Sequence, residues 1–239
     1  MKKLKIATTS FIFSDTRIKN IKTLKNYIDH IELLYFEGKK SQDLPTLKEL
    51  NYFKNTSISY SVHLPTNTNN FYKIEKFISH FNLIENIRYF IIHSKYNTKG
   101  LMKIRNLQKK YQKELIVENT LANLQQIKNF IHNKINICFD IGHTFPYYDN
   151  YSIINFLNIH HKYIKYLHVY GTMDGKKHQS LKYLNNELLS FLIKFAITNN
   201  ITFCIEVFTL KDLIESLNIL KKFYKPNLND ISHKYLLLI

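Results

Sequence analysis

Eight short apolar runs, each followed by a longer segment of mixed polarity, set what this chain can fold into. The runs are residues 4–10 (LKIATTS), 30–36 (HIELLYF), 57–63 (SISYSVH), 88–93 (RYFIIH), 114–119 (ELIVEN), 136–142 (NICFDIG), 165–171 (KYLHVYG) and 202–208 (TFCIEVF). Between them, segments such as 18–28 (IKNIKTLKNYI), 122–131 (ANLQQIKNFI) and 212–223 (DLIESLNILKKF) carry helical spacing. Ser14 or Asp15 is placed to cap the first helix. Strand-like runs alternating with helices predict a parallel sheet. Eight such units close into a (β/α)8 barrel more naturally than they form an open sheet. An open doubly wound fold calls for a Gly-rich phosphate turn, and no G-x-G-x-x-G occurs here. The 239 residues match the size of one such barrel, about 250 residues. With no Ser/Gly-rich linker to divide it, 1–239 reads as a single domain.

No run approaches the roughly 20 apolar residues of a membrane helix, so no membrane partner is expected. The start, MKKLKIATTSFIF, opens with lysines like a signal peptide. Thr8, Thr9 and Ser10 break its apolar stretch, and it reads as mature protein. Cys138 and Cys204 lie inside apolar runs and suit small buried thiols. Together these features point to the cytoplasm. The formal net charge of +16 comes almost wholly from Lys, the arginines being Arg17, Arg88 and Arg105. Abundant Asn, Ile, Tyr and Phe accompany it, as AT-rich coding produces. The charge permits an anionic partner without establishing one.

The carboxyl ends of the runs carry the informative pattern. His63 ends the third, His93 the fourth, Glu118 stands in the fifth and Asp140 in the sixth, with His143 just after. The seventh carries His168, followed by Asp174 and His178, and the eighth carries Glu206. From His63 through His93, Glu118, Asp140 and His168 to Glu206 the gaps are 30, 25, 22, 28 and 38 residues. That rhythm brings one ligand-type side chain per βα unit to the rim where barrel active sites form. Singly, each residue is as readily structural as functional. As a set, three carboxylates in apolar strands are costly unless something neutralises them, and a shared divalent metal cluster does so with the histidines. Mixed nitrogen and oxygen donors suit Zn2+ first, then Mn2+ or Fe2+. Glu32 and Glu37 flank the second strand; Glu32 is expected either to line the pocket or to pair with a Lys. Tyr147, Tyr148 and Tyr151, and Phe11 and Phe13, either wall a flat ligand or pack their loops.

The set from His63 to Glu206 resembles the xylose-isomerase-like barrels that include endonuclease IV. The resemblance implies a trinuclear zinc cluster. His63, His93 and Glu118 would hold one metal. Glu118, Asp140, His168 and Glu206 would hold a second, with Glu118 bridging. His143, His178 and a carboxylate such as Asp174 would hold the third. The family pattern has an acid two residues before the last His, where this chain has Lys176.

The stretches IATTSFIF, YIDHIELLYFEG, YSVHLPTN and LHVYGTMDGKKHQSL are similar to the cobamide-remodelling phosphodiesterase family. Its members commonly read Gly-Lys-Asp-His where this chain has Gly175, Lys176, Lys177 and His178. That likeness implies hydrolysis of the nucleotide loop of cobalamin-type cofactors to release cobinamide, with two or three metals per chain. Glu118, Asp140 and Glu206 would be the catalytic carboxylates, and Glu32, Lys176 and Lys177 substrate contacts. An endonuclease at abasic DNA sites would share the metal set, but Arg- and Gly-rich DNA-gripping loops are absent. A sugar isomerase or epimerase needs one metal and paired acid/base carboxylates, leaving His63, His93, His143 and His178 without work. A non-catalytic barrel that binds a corrinoid would leave the whole ligand set idle. Replacing Glu118 by Gln is expected to relieve repulsion among Glu118, Asp140 and Glu206 in the metal-free fold.

Overall fold

The computed structural model describes residues 3–35, 44–65, 71–93, 98–120, 124–145 and 147–224; Glu37 lies outside them. Strands β1 (Lys5–Thr9), β2 (His30–Leu34), β3 (Ser59–His63), β4 (Ile87–His93), β5 (Glu114–Glu118), β6 (Ile137–Asp140) and β7 (Ile164–Val169) follow in order. A hairpin of β8 (Gly171–Met173) and β9 (Lys176–Gln179) precedes β10 (Thr202–Ile205). Eight of these strands form a closed parallel barrel in the order β1-β10-β7-β6-β5-β4-β3-β2. Helices alternate with them: α1 (Arg17–Leu24), α2 (Leu47–Lys54), α3 (Phe71–Phe81), α4 (Thr98–Tyr111), α5 (Leu124–His132), α6 (Asn150–His160), α7 (Asn186–Asn199) and α8 (Leu210–Tyr224). Every apolar run of the sequence became a barrel strand. No helix among the described residues is long and apolar enough to cross a membrane.

Two cores result from strand alternation. The larger one joins outward strand residues such as Ile31, Val62, Phe90 and Phe139 to buried helix residues such as Ile21, Phe81, Phe130 and Leu192. A smaller cluster comprises Ala7, Ile91, Ile116, Cys138, Tyr166 and Cys204, and it fills the barrel interior. Side chains two residues apart share a face of a strand. Stepping on by two from Ile91, Ile116, Cys138, Tyr166 and Cys204 gives His93, Glu118, Asp140, His168 and Glu206, each towards the carboxyl end. The apolar floor and the polar rim are therefore successive layers of one lumen. Cys138 and Cys204 are buried and free.

Two local expectations change. The cap of α1 is Thr16, whose side chain accepts from the backbone N–H of Lys19. Ser14 and Asp15 lie too early for that; Asp15 pairs instead with the Lys19 ammonium at 2.5 Å. The hairpin after β7 is the second change. Asp174 and Gly175 form its two-residue turn, at φ of 52° and 75°, which Asp-Gly tolerates at both central positions.

Gly142, just past β6, faces the ring of the buried Tyr170, which any Cβ there would strike. Tyr170 is fully buried, so it has no open space to move into. Gly142→Ala is expected to lower stability by about 1–3 kcal/mol, the usual cost of overpacking. Chemical denaturation checks this; an unchanged midpoint would show that Tyr170 yields freely.

Candidate metal centre

Glu118 is the hub of the rim. It ends β5, is 2 % exposed, and divides its two oxygens between two groups of histidines. Oε2 lies 3.0 Å from His63 Nε2 and 3.1 Å from His93 Nε2. Oε1 lies 3.3 Å from His168 Nδ1 and 3.8 Å from His143 Nδ1. The strand register sets this up, because His93 pairs with Glu118 and Asp140 with His168 across neighbouring strands. Asp140 Oδ1 accepts the backbone N–H of His143 at 2.8 Å. Its Oδ2 lies 3.5 Å from His143 Nδ1 and 3.9 Å from His168 Nδ1, and Tyr170 donates its hydroxyl to it at 3.5 Å. Glu206, one residue past β10, places Oε2 3.6 Å from both His168 Nδ1 and His178 Nδ1. That oxygen is buried and has no hydrogen-bond partner among the described residues.

Two of the rings have their outer nitrogens occupied as well. His63 Nδ1 lies 3.2 Å from the Leu64 carbonyl, whereas the Nδ1 atoms of His143 and His178, which face the carboxylates, also lie 2.9 and 3.1 Å from the carbonyls of Asn119 and Glu206. His168 Nε2 lies 2.9 Å from Glu32 Oε2. A ring N–H given to a carbonyl or carboxylate fixes the tautomer and leaves the other nitrogen with a lone pair, as metal-bound histidines have it. His63, His93 and Glu118 each offer a ligand atom within 4.8 Å of the others, and so do Glu118, Asp140 and His168. Imidazole with carboxylate suits Zn2+, Mn2+ or Fe2+. Two adjacent triads sharing Glu118, together with the orphaned Glu206 oxygen, fit divalent cations.

Without a cation the charges are unevenly placed. Burial pushes the Glu206 carboxyl well above its ordinary range, and the nearby charges of Asp140 and Glu118 add to this against the attraction of His168. Burial likewise raises Asp140. Glu118 goes the other way: burial opposes its ionisation, but His93, His168 and His63 hold it well below the usual range. Burial also opposes the charge on His168, yet the carboxylates of Glu206, Glu32 and Glu118 hold its imidazolium well above the ordinary value. His178 is depressed to about 4, chiefly by burial, so it is neutral near pH 7. Relief from like-charge repulsion therefore falls on Glu206, not on Glu118, whose loss would strip an anion from several imidazoles.

The remaining sequence candidates are placed less centrally. His143 and His178 border the cluster but belong to neither triad. His178 is clasped between the rings of Tyr170 and Phe208, with centroids 4.2 and 4.7 Å away. Asp174 is exposed at the hairpin tip, where its turn conformation places it, and Lys176 and Lys177 are exposed beside it. Among the described residues no ion pair joins Asp174 to His178, so Asp174 does not complete a third metal position, and the carboxylates beside His143 and His178 are Asp140 and Glu206 of the inner cluster. Glu32 neither meets a Lys nor opens to solvent; it is sealed inside the barrel against His168. Tyr147, Tyr151 and Phe11 are exposed, whereas Tyr148 and Phe13 pack against the core. Sequence reasoning missed Asn119, which accepts the Asp140 N–H at 2.6 Å and donates to the Asp140 carbonyl at 2.8 Å. A polar residue directly after Glu118 was its one available sign.

No family model matches the sequence, and no curated protein matches it. Solved structures do. A D-tagatose 3-epimerase-like protein superposes with a TM-score of 0.69 at 16 % identity, over 96 % of this chain and 100 % of the other. SacUVDE superposes with a TM-score of 0.58 at 15 % identity, over 93 % and 99 %. The fold they share with this chain is the closed (β/α)8 barrel. Orotidine 5′-monophosphate decarboxylase of Methanocaldococcus jannaschii follows at 0.53 and 11 % identity, over 97 % and 99 %. At such identities the likeness is one of fold alone.

Glu206→Gln should raise the melting temperature of the metal-free protein at pH 7–8. An acid whose folded pKa is raised contributes stability below its unfolded pKa and loses it as pH rises through the folded value. The difference between the two proteins should therefore open as pH rises above about 4.3, the ordinary Glu value, and close below it. Each kcal/mol gained is worth about 2–4 °C in a chain of this size. Equal melting curves at pH 8 would show that burial does not raise the Glu206 carboxyl above its ordinary range.

Proposed function

We propose that this barrel is a metal-dependent phosphodiesterase that hydrolyses the nucleotide loop of cobamides, releasing cobinamide. The observation that carries the reading is the division of the Glu118 oxygens between two triads. A bridging carboxylate that holds two cations suits in-line phosphoryl displacement, where attacking and leaving oxygens both need neutralising. Cations held there would supply Lewis acidity, activating water and stabilising charge on the phosphoryl group and the leaving oxygen. Glu118 would set their spacing, through His63 and His93 on one side and Asp140 and His168 on the other. With cations held beside it to favour its ionised form, Glu206, whose Oε2 is buried without a hydrogen-bond partner among the described residues, would orient water and take its proton. Asp140 is held in place by Asn119 and by the His143 N–H, leaving Oδ2 towards the cluster. His178, neutral above pH 5, adds no positive charge of its own.

Support for a cobamide comes from the four sequence stretches that resemble that family, and the exposed Phe11, Tyr147 and Tyr151 follow strands at the mouth of the barrel. Two free buried thiols suit a reducing compartment, and we place the reaction in the cytoplasm. A sugar epimerase, suggested by one structural neighbour, needs a single ion and leaves the His63/His93 pair unexplained.

Purified protein loaded with Zn2+, Mn2+ or Fe2+ should convert a cobamide to a cobinamide product. Parallel incubations with abasic-site DNA and a ketohexose should leave both unchanged. Glu118→Gln should cut cobamide hydrolysis more than about 100-fold, beyond the usual cost of losing an outer-shell partner. Nicked DNA or an epimerised sugar with intact cobamide would overturn the assignment.

A further inference from the structure

Glu32 stands on β2 and reaches across the lumen to β7. It has no exposed surface, and among the described residues its one ion pair is with His168, Oε2 to Nε2 at 2.9 Å. Its other oxygen, Oε1, is buried without a hydrogen-bond partner. Burying a carboxylate costs several kcal/mol unless its partners compensate, so its place in the barrel calls for a cause. His168 supplies one. Its Nδ1 has oxygens of Glu118, Glu206 and Asp140 at 3.3, 3.6 and 3.9 Å, and its Nε2 faces Glu32. A neutral histidine offers Nδ1 to a metal when its proton sits on Nε2, and an acceptor at Nε2 favours that tautomer and orients the ring.

We infer that Glu32 is a positioning residue: it accepts the Nε2–H of His168, fixes the tautomer with its lone pair on Nδ1, and aims that nitrogen at the metal shared with Glu118 and Asp140. This rests on the metal reading of the rim and goes beyond it, since Glu32 would touch neither metal nor substrate. Cys204 is the competing feature. Its sulfur, a Glu32 oxygen and His168 nitrogen lie within 4.8 Å of one another, close enough to hold an ion directly. Burial raises the Cys204 thiol well above its ordinary range, which disfavours the thiolate that such a site needs.

Co2+ titration of the full chain, followed by calorimetry and by its visible d–d spectrum, separates these roles. Glu32→Leu removes the acceptor and should weaken the cation held by His168 about 10–100-fold, the usual effect of losing an outer-shell partner. Glu32→Gln keeps an acceptor without the charge and should fall between Leu and wild type. The d–d bands should shift in the same order. If Glu32→Leu fails to fold, Glu32→Gln still carries the comparison. Wild-type affinity and spectrum in the folded variants would overturn the inference while leaving the metal site standing. A sulfur-to-cobalt charge-transfer band in wild type, abolished by Cys204→Ser, would overturn it too, by placing the ion among Cys204, Glu32 and His168. Wild-type protein that takes up no Co2+ would instead sink the metal reading itself, and this inference with it.

Discussion

Three carboxylates of the barrel rim, Glu118, Asp140 and Glu206, have almost no access to water, and the rest of the site is arranged around that fact. Glu118 is tolerable because imidazoles approach both of its oxygens. Asp140 and Glu206 are less well served; burial raises both, and one Glu206 oxygen has no partner. Low local dielectric makes such groups costly when unpaired and strongly attracting when paired. Divalent cations would relieve the whole set at once. The apolar floor of Ala7, Ile91, Ile116, Cys138, Tyr166 and Cys204 keeps water out from beneath and makes the requirement sharper.

Strand periodicity explains why so much of this was legible. A parallel barrel places every second residue in the lumen, so ligand-type residues at the carboxyl ends of apolar runs converge without any need for detailed packing. All eight runs became strands, and His63, His93, Glu118, Asp140 and His168 meet. What escaped depends on contacts the sequence does not space regularly. The tie between Glu32 and His168 spans 136 residues and crosses the lumen, so nothing adjacent to either residue announces it. Thr16 caps α1 where Ser14 and Asp15 looked equally able, because helix onset is fixed only to within a residue or two. Asp174 is the instructive case. Read as a carboxylate, it seemed a ligand; read with Gly175, it is the Asp-Gly turn of a hairpin. Local backbone demand took that residue for the turn.

The fold and the site speak to different questions. Barrels of this architecture serve unrelated reactions, so superposition on an epimerase-like protein leaves the chemistry to be argued from the rim. There, the histidines distinguish the alternatives best. His63 and His93 both address the same Glu118 oxygen, an arrangement that a single ion bound by Asp140, His168 and Glu206 would leave unused. His143 and His178 turn Nδ1 both to a backbone carbonyl and to a carboxylate of the inner cluster, and Asp174 does not join them, so the third position implied by resemblance is the incomplete one.

The central claim is that Glu118 bridges two cations. Anomalous diffraction from crystals grown with Mn2+ or Zn2+ tests it most directly, by locating each ion. The account predicts one peak bounded by His63, His93 and Glu118 and a second bounded by Glu118, Asp140 and His168, with a different Glu118 oxygen nearest each. A single peak, with His63 and His93 still turned to a metal-free Glu118 oxygen, would contradict it.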